Sequence, residues 1–442
     1  MFRILSITVQ TSIILILVLA VFNNSFIISF EIKDFIYSVS STYIFIPLLI
    51  FFVLIFLLQT FYFKTKFSFS KFIAIKKLQN KEKGYNAFVS GMIALANKDY
   101  KRAILESKKI SNHLDDNPSL ALLLKSEIFK VEKKYDELSL VYEDMSKNKH
   151  TENLGYRGMM EQYLRAQDYH HAFIYGERLF NNNPFIEKIY DTLVSIIAKT
   201  NNWQQLLIIS DRAFSKKIID KKVYEENKSI GFFEIAKIKQ LSEIEESLKY
   251  MQKALKFRKN FPPYIKLYIN LLIQNKNYNL AKKSIKKAWN ELPHAEYKES
   301  ILSLAAHLEI EMSELVKYIA GTSYKNEESI ILMVEALIES KKWDDARNQI
   351  KDLLDVRPKK EVCLLMAKIE EGDSGDVQKI NAWTQRAKDG AANNIWICTI
   401  SKKSQQTWSS VSEAGYFNSL EWRQPIMLDS LEIYEGLKIN GN

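Results

Sequence analysis

Two stretches near the start of the chain are apolar from end to end and carry no charge: residues 4–22 (ILSITVQTSIILILVLAVF) and 43–63 (YIFIPLLIFFVLIFLLQTFYF). Each is about as long as a helix must be to cross roughly 30 Å of hydrocarbon. The first lacks a small-residue cleavage site, because Asn23 and Asn24 give way to bulky Phe26 and Ile27. Residues 1–63 therefore read as a two-helix transmembrane hairpin with a short external loop. A cleaved leader followed by one span is the alternative, and it leaves the rest of the chain on the same side. Within the loop, FIISFEIKDFIYSV alternates apolar and polar positions, which suits two short strands or an interfacial segment.

Beyond residue 84 the pattern changes to a long period. Aromatic residues recur at Tyr100, Tyr135, Tyr169 and Trp203, spaced 35, 34 and 34 apart, and again at Tyr278 and Trp343. Three positions after these come Ala103, Leu138, Ala172, Leu206, Ala281 and Ala346, and proline follows at Pro184, Pro293 and Pro358. A short polar turn precedes each aromatic: NKD, EKK, AQD, TNN, NKN and SKK. Such a unit is two helices of about a dozen residues. The aromatic wedges the turn, the small residue lets the second helix approach, and proline breaks the chain into the next unit.

This is the 34-residue tetratricopeptide pattern, so 84–389 reads as an all-α solenoid superhelix. The 75 residues from Trp203 to Tyr278 leave room for one further unit with an insertion around 243–246. The 65 from Tyr278 to Trp343 hold another pair near 296–318, and 359–389 make a last one, for eight or nine helix pairs. Setting Ala103, Ala172 and Ala281 equivalent places Glu127, Lys130, Glu161, Arg165, Lys199, Lys266, Asn270 and Gln274 on the groove of first helices, where a protein partner would lie.

After Asp389 the texture changes again. Trp396, Trp408, Tyr416, Phe417 and Trp422 crowd 390–425, followed by a tail, 426–442. Cys398-x2-Ser401 and Ser412-x2-Gly415 have the spacing of two rubredoxin-like metal knuckles, with one thiol left of the four ligands that a tetrahedral ion needs. The expectation is an aromatic plug that binds no metal and caps the open end of the solenoid.

Composition narrows the function. Only 13 Gly and 8 Pro in 442 residues argue against an all-β protein, and no glycine-rich phosphate loop occurs. No GxSxG or HExxH motif is present, and adjacent His170 and His171 point about 100° apart on a helix. No catalytic set and no cofactor motif emerges; the chain reads as a non-enzyme. The net charge is +10, but residues 64–83 hold seven lysines against Glu82, leaving little excess for a nucleic-acid surface. The loop 23–42 carries Glu31, Lys33 and Asp34, so the positive-inside rule puts the large domain in the cytoplasm. Lys64, Lys66, Lys71, Lys76 and Lys77 then form a basic juxtamembrane segment resting on anionic headgroups of the lipid bilayer.

Gly84-Tyr-Asn-Ala87, Gly91, Ala94-Leu-Ala96, Asp99-Tyr100 and Ala103 together resemble the HemY N-terminal family of Gram-negative inner-membrane proteins. Trp396, Cys398, Trp408 and Phe417-Asn-Ser-Leu-Glu-Trp422 resemble the C-terminus of its alphaproteobacterial branch. The resemblance implies a link to late haem (protoporphyrin) biosynthesis with no settled activity, and haem-pathway enzymes among the partners. A membrane-anchored scaffold is the reading favoured here. A tetrapyrrole-binding carrier and a regulator of envelope assembly of the LapB kind are the alternatives. LapB-type proteins keep an intact knuckle, from which this chain departs at Ser401, Ser412 and Gly415. A reporter fused after Asn442 is expected to be active only on the cytoplasmic side; activity confined to the far side would reverse the topology.

Overall fold

The computed structural model describes residues 2–23, 26–32, 35–114, 117–354 and 357–425; the tail 426–442 lies outside the described residues. The chain divides into two compact units, Met1–Thr151 and Glu152–Asn442.

The first unit opens with α1 (Phe2–Asn23), then a two-stranded antiparallel hairpin, β1 (Ile27–Ile32) and β2 (Phe35–Ser40), in which Phe30 faces Tyr37. The alternating loop thus forms strands. α2 (Ser41–Ala96) follows and runs 56 residues. Among the described residues it is the one helix long and apolar enough to cross a membrane; within α1 the apolar run is shorter, Thr8–Leu19. The sequence suggested two spans. α2 breaks neither at 63 nor at 83, so the lysine-rich stretch and the first helix of the first repeat are one continuous helix. α3 (Tyr100–His113), α4 (Ser119–Glu132) and α5 (Tyr135–Ser146) complete two helix pairs.

In the second unit seven pairs follow. They are α6 (Glu152–Arg165) with α7 (Tyr169–Asn182), α8 (Ile189–Thr200) with α9 (Trp203–Ser215), and α10 (Lys221–Lys239) with α11 (Ile244–Phe257). Next come α12 (Pro262–Gln274) with α13 (Tyr278–Glu291) and α14 (Lys298–Leu308) with α15 (Met312–Ala320). The last are α16 (Glu327–Glu339) with α17 (Trp343–Ile350) and α18 (Lys360–Asp373) with α19 (Val377–Asp389). Three short strands, β3 (Ile395–Cys398), β4 (Ser404–Gln405) and β5 (Leu420–Arg423), close the described chain as an antiparallel sheet in the order β4-β3-β5.

The polar turns explain the helix boundaries. The middle residue of each, Lys98, Lys133, Gln167, Asn201, Lys276 and Lys341, takes a left-handed φ between 53° and 61°, which ends the first helix. In two of them the third residue is aspartate, and its carboxylate caps the second helix: Asp99 accepts from the Arg102 N–H and Asp168 from that of His171, both at 3.1 Å. Second helices start at 100, 135, 169, 203, 244, 278, 312, 343 and 377, so the period holds with one stretch of 41 and one of 31. The seven extra residues do not form a loop near 243–246. They lengthen α10 to 19 residues.

The fourth residue of the second helix is at most 1% exposed in eight of the nine pairs (Ala103, Leu138, Ala172, Leu206, Ser247, Ala281, Leu315 and Ala346). Around these contacts lie continuous apolar layers, such as Leu193, Ile197, Leu206, Ile209 and Ile230 in the middle repeats and Val334, Ile350 and Ile369 in the last. Each such side chain stabilises the fold by about 1.5–3 kcal/mol.

A Cβ on Gly372 of α18 would stand 2.3 Å from the Trp343 ring. Glycine to alanine inside a helix ordinarily stabilises by about 1 kcal/mol. Gly372→Ala is expected to do the reverse, destabilising by about 1–3 kcal/mol because the indole must leave its site. A rise in the urea midpoint would show that the contact carries no constraint.

Candidate functional site

First helices of neighbouring repeats pack side by side, α12 against α14 and α16 against α18. A ladder of polar pairs crosses between them. On α12, Lys266, Asn270 and Gln274 recur every four residues and so share one stripe. The Lys266 ammonium lies 2.6 Å from Glu299 and 3.5 Å from Glu296. Asn270 Oδ1 accepts from the Ser300 hydroxyl at 2.7 Å, and Gln274 Oε1 accepts from Gln240 Nε2 at 3.1 Å. Lys298 pairs with Glu335, and Lys359 lies 2.9 Å from Glu327. The α12 stripe therefore ties repeat to repeat.

The remaining groove candidates occupy first helices too. On α4, Glu127 and Lys130 stand 3.9 Å from one another. On α6, Glu161 accepts from Arg157 Nε at 3.0 Å, and Arg165 ends the helix. Lys199 places its ammonium 4.9 Å from the Tyr169 ring centroid, beside Lys188 and Asp191 in a depression of about 480 Å³.

Sequence reasoning missed an acidic group on the last first helices, because its members recur with no fixed spacing. Burial, then the neighbouring Glu361 carboxylate, pushes Glu328 up to about 7, with Lys359 opposing. Burial also raises Glu335, whose Oε2 is enclosed without a hydrogen-bond partner.

The aromatic C-terminal module is not where its position in the chain suggested. Instead of capping the end of the stack, it docks on the middle repeats. Trp408 meets Phe261, Phe233 and Tyr264 edge-on, with centroids 5.0, 5.3 and 5.6 Å away. Phe417 stacks on Trp203 at 6.5 Å, and the Asn418 amide donates to Glu226 at 3.1 Å. Trp396 Nε1 donates to Glu296 Oε1 at 2.6 Å, and His294 lies 4.7 Å from Trp422. Trp408 is 8% exposed, and a buried indole removes on the order of 200 Å² from water, worth about 5 kcal/mol.

Both spaced pairs lie in tight turns: the Lys402 N–H donates to the Cys398 carbonyl at 2.9 Å and the Gly415 N–H to that of Ser412 at 2.7 Å. Cys398 Sγ accepts the Ser401 N–H at 3.4 Å and lies 3.3 Å from Ser419 Oγ. Ser412 Oγ accepts the Tyr416 N–H at 3.1 Å, and Gly415 supplies a left-handed φ of 83°. Burial alone would raise the Cys398 thiol; the Ser401 and Ser419 hydroxyls and nearby amides outweigh it and bring it down to about 6. Backbone N–H groups and the Ser419 hydroxyl thus partner the Cys398 sulfur and the Ser412 hydroxyl. Among the described residues no three His, Cys, Asp or Glu side chains converge as a metal site.

No family model matches the chain, and no curated protein matches it. Among solved structures it is similar to Naa15/Naa10 bound to HypK-THB, at 12% identity and a TM-score of 0.40 over 70% of this chain and 50% of that one. This chain therefore spans about half the length of that neighbour. It is also similar to a tetratricopeptide repeat protein from Parabacteroides merdae (14% identity, TM-score 0.26, 56% of this chain and 98% of that one). A third is the TPR2AB domain of yeast Sti1 in complex with pHSP90 (11% identity, TM-score 0.29, 69% and 98%). The chain has a tetratricopeptide-type fold, argued from its own period and helix pairing.

Burial lowers His294 to about 4 from its ordinary 6.5. Docked imidazole therefore binds its proton more weakly than undocked imidazole. Docking should be complete above pH 6.5 and weaken as pH falls from there toward 4. Tryptophan fluorescence is expected to shift to the red over that window, and His294→Phe, which cannot ionise, to flatten the response. An unchanged wild-type spectrum down to pH 4 would contradict this.

Proposed function

We propose that the chain is a membrane-anchored tetratricopeptide scaffold, presenting its first-helix face to protein partners at the cytoplasmic side of a bacterial inner membrane. The observation that carries this reading is the continuity of α2, one helix from the uncharged stretch 43–63 through the lysines into the first repeat. A tether of that kind fixes the direction in which the repeats leave the bilayer, which a flexible linker would not. The resemblance of 84–103 and 396–422 to the HemY N-terminal family supports haem-pathway enzymes as the partners.

Tethering raises the effective concentration of bound partners without adding a contact. A chain starting at residue 64 is therefore expected to capture the same partners from extracts yet fail to complement a deletion. An unrelated two-span hairpin in place of 1–63 should restore function. Full complementation by the untethered chain would remove the scaffold reading in favour of a soluble carrier.

A further inference from the structure

The charge count over the whole chain conceals a second basic stretch. Residues 244–291 hold eleven Lys and Arg against three Glu, a net charge of +8; with the +6 of 64–83, the rest of the chain stands at −4. Most of that excess falls on two second helices of the second unit. Lys249, Lys253 and Lys256 are exposed on α11, and Lys283 and Lys287 on α13. Both helices pack on α12, and Leu248 and Leu255 of α11 meet the apolar cluster that holds Ala281 and Ile285 of α13, so the two lysine rows are neighbours. Among the described residues no ion pair joins any of these five lysines to a carboxylate. Elsewhere in this unit the i,i+4 spacing joins opposite charges: Arg157 with Glu161 at 3.0 Å, Lys239 with Glu243 at 3.0 Å, and Lys221 with Glu225 at 3.7 Å. Lys249 with Lys253, and Lys283 with Lys287, set like charges at that spacing, which costs helix stability. A local rule broken without compensation inside the chain marks a face whose counter-charge comes from outside.

We propose that the α11–α13 face binds the phosphate backbone of duplex DNA without reading its sequence. Unpaired ammonium groups on two neighbouring ridges call for a dense anion, and a duplex carries one charge about every 1.7 Å along its axis. Each ridge is a helix of 14 residues, about 21 Å long. Helices packed side by side have axes about 10 Å apart, between the roughly 6 Å and 12 Å widths of the two grooves of the duplex. Lysine stems can therefore set one ridge on each of the strands that border a groove. Base stacking has no platform here. The Lys253 ammonium lies 5.0 Å from the centroid of the Tyr250 ring, and those of Lys282 and Lys286 lie 4.4 and 4.0 Å from that of Tyr318 on α15. Single strands, which bind by stacking on open aromatic faces, find these rings already covered. Backbone contacts of this kind position a duplex and carry no sequence information. An acidic helix shows about one carboxylate per turn on the side it presents, too sparse for two rows. The face belongs to second helices, so it leaves the first-helix groove free and does not depend on the anchored reading.

The test is fluorescence anisotropy of two short labelled DNA duplexes of unrelated sequence, with the full-length protein in phosphatidylcholine nanodiscs. With the five exposed lysines each meeting a phosphate, affinity should fall by about 500-fold between roughly 50 and 200 mM salt, alike for both sequences. Lys249→Gln, Lys253→Gln, Lys283→Gln and Lys287→Gln combined should weaken binding at the lower salt and shrink that fall to about fourfold. Lys64→Gln, Lys66→Gln, Lys76→Gln and Lys81→Gln combined remove the same charge from the other basic stretch and should leave the wild-type fall. Circular dichroism confirms that both variants are helical. Equal salt dependence in the two variants, or a wild-type preference for one duplex sequence over the other, would overturn the proposal. Competition separates the other occupants. Displacement of the labelled duplex by polyglutamate, or by phosphatidylglycerol vesicles, at a lower charge concentration than unlabelled duplex needs would assign the face to an acidic protein or to a lipid surface and overturn DNA as its ligand.

Discussion

Eight of the nine repeats depend on one close approach, the fourth residue of the second helix buried against its neighbours. A helix pair of this size cannot bury both its apolar stripes by itself, so it is stable only when neighbours stack on it. The approach sets how near the two axes lie, and hence how well the next pair fits. Alanine fills the position in four pairs, and in the α10–α11 pair Ser247 does so. Its hydroxyl donates to the Ala236 carbonyl at 2.7 Å, which keeps a polar group at full burial without penalty. A larger or unsatisfied group there would push the helices apart and misalign every layer above it.

Once the layers align, the first helices present side chains to one another in register, and the polar ladder follows. Glu296 is the junction of that ladder with the C-terminal module. Its side chain is 8% exposed; one oxygen accepts the Trp396 indole N–H and the other lies 3.5 Å from the Lys266 ammonium. A buried carboxylate is tolerated when both oxygens are partnered, and it is costly when one partner leaves. Docking of the module and the pairing of α12 with the next repeat are in this way tied through a single side chain. The groove and the module are therefore one structural system.

The repeat was legible in the sequence because a period survives wherever its marker is aromatic. Ile244, Met312 and Val377 start second helices just as Tyr100 and Trp203 do, but as aliphatic residues they are lost among other apolar positions. The seven extra residues were visible as a long gap; their place was not, since a helix absorbs two more turns with no turn residue to mark them. Periodicity assigned the groove candidates to first helices, and those helices hold them. Whether a charged side chain meets a partner or a neighbouring repeat is decided by what stands opposite, and Lys266 finds Glu299 through packing that no local spacing encodes. The module is the extreme case. Phe417 finds Trp203, and Asn418 finds Glu226, across about two hundred residues of chain, and the aromatics that receive Trp408 are ones that the repeat pattern does not require.

The stretch 64–83 shows how one sequence feature serves two requirements. As a helix it spans about 30 Å, a stiff spacer that separates the uncharged run from the first repeat. Stiffness of that kind needs helix formers and no glycine or proline, and 64–83 contains neither. Lysine satisfies that requirement while also carrying charge, so the residues that keep the spacer helical are the same ones that face anionic headgroups in the anchored reading. A flexible basic linker would supply the charge and lose the direction; a neutral helix would keep the direction and lose the grip on the surface. The first glycine after the apolar run, Gly84, falls where the spacer ends and the first close helix contact begins. The change from spacer to repeat is thus made within one unbroken helix, by what packs against it.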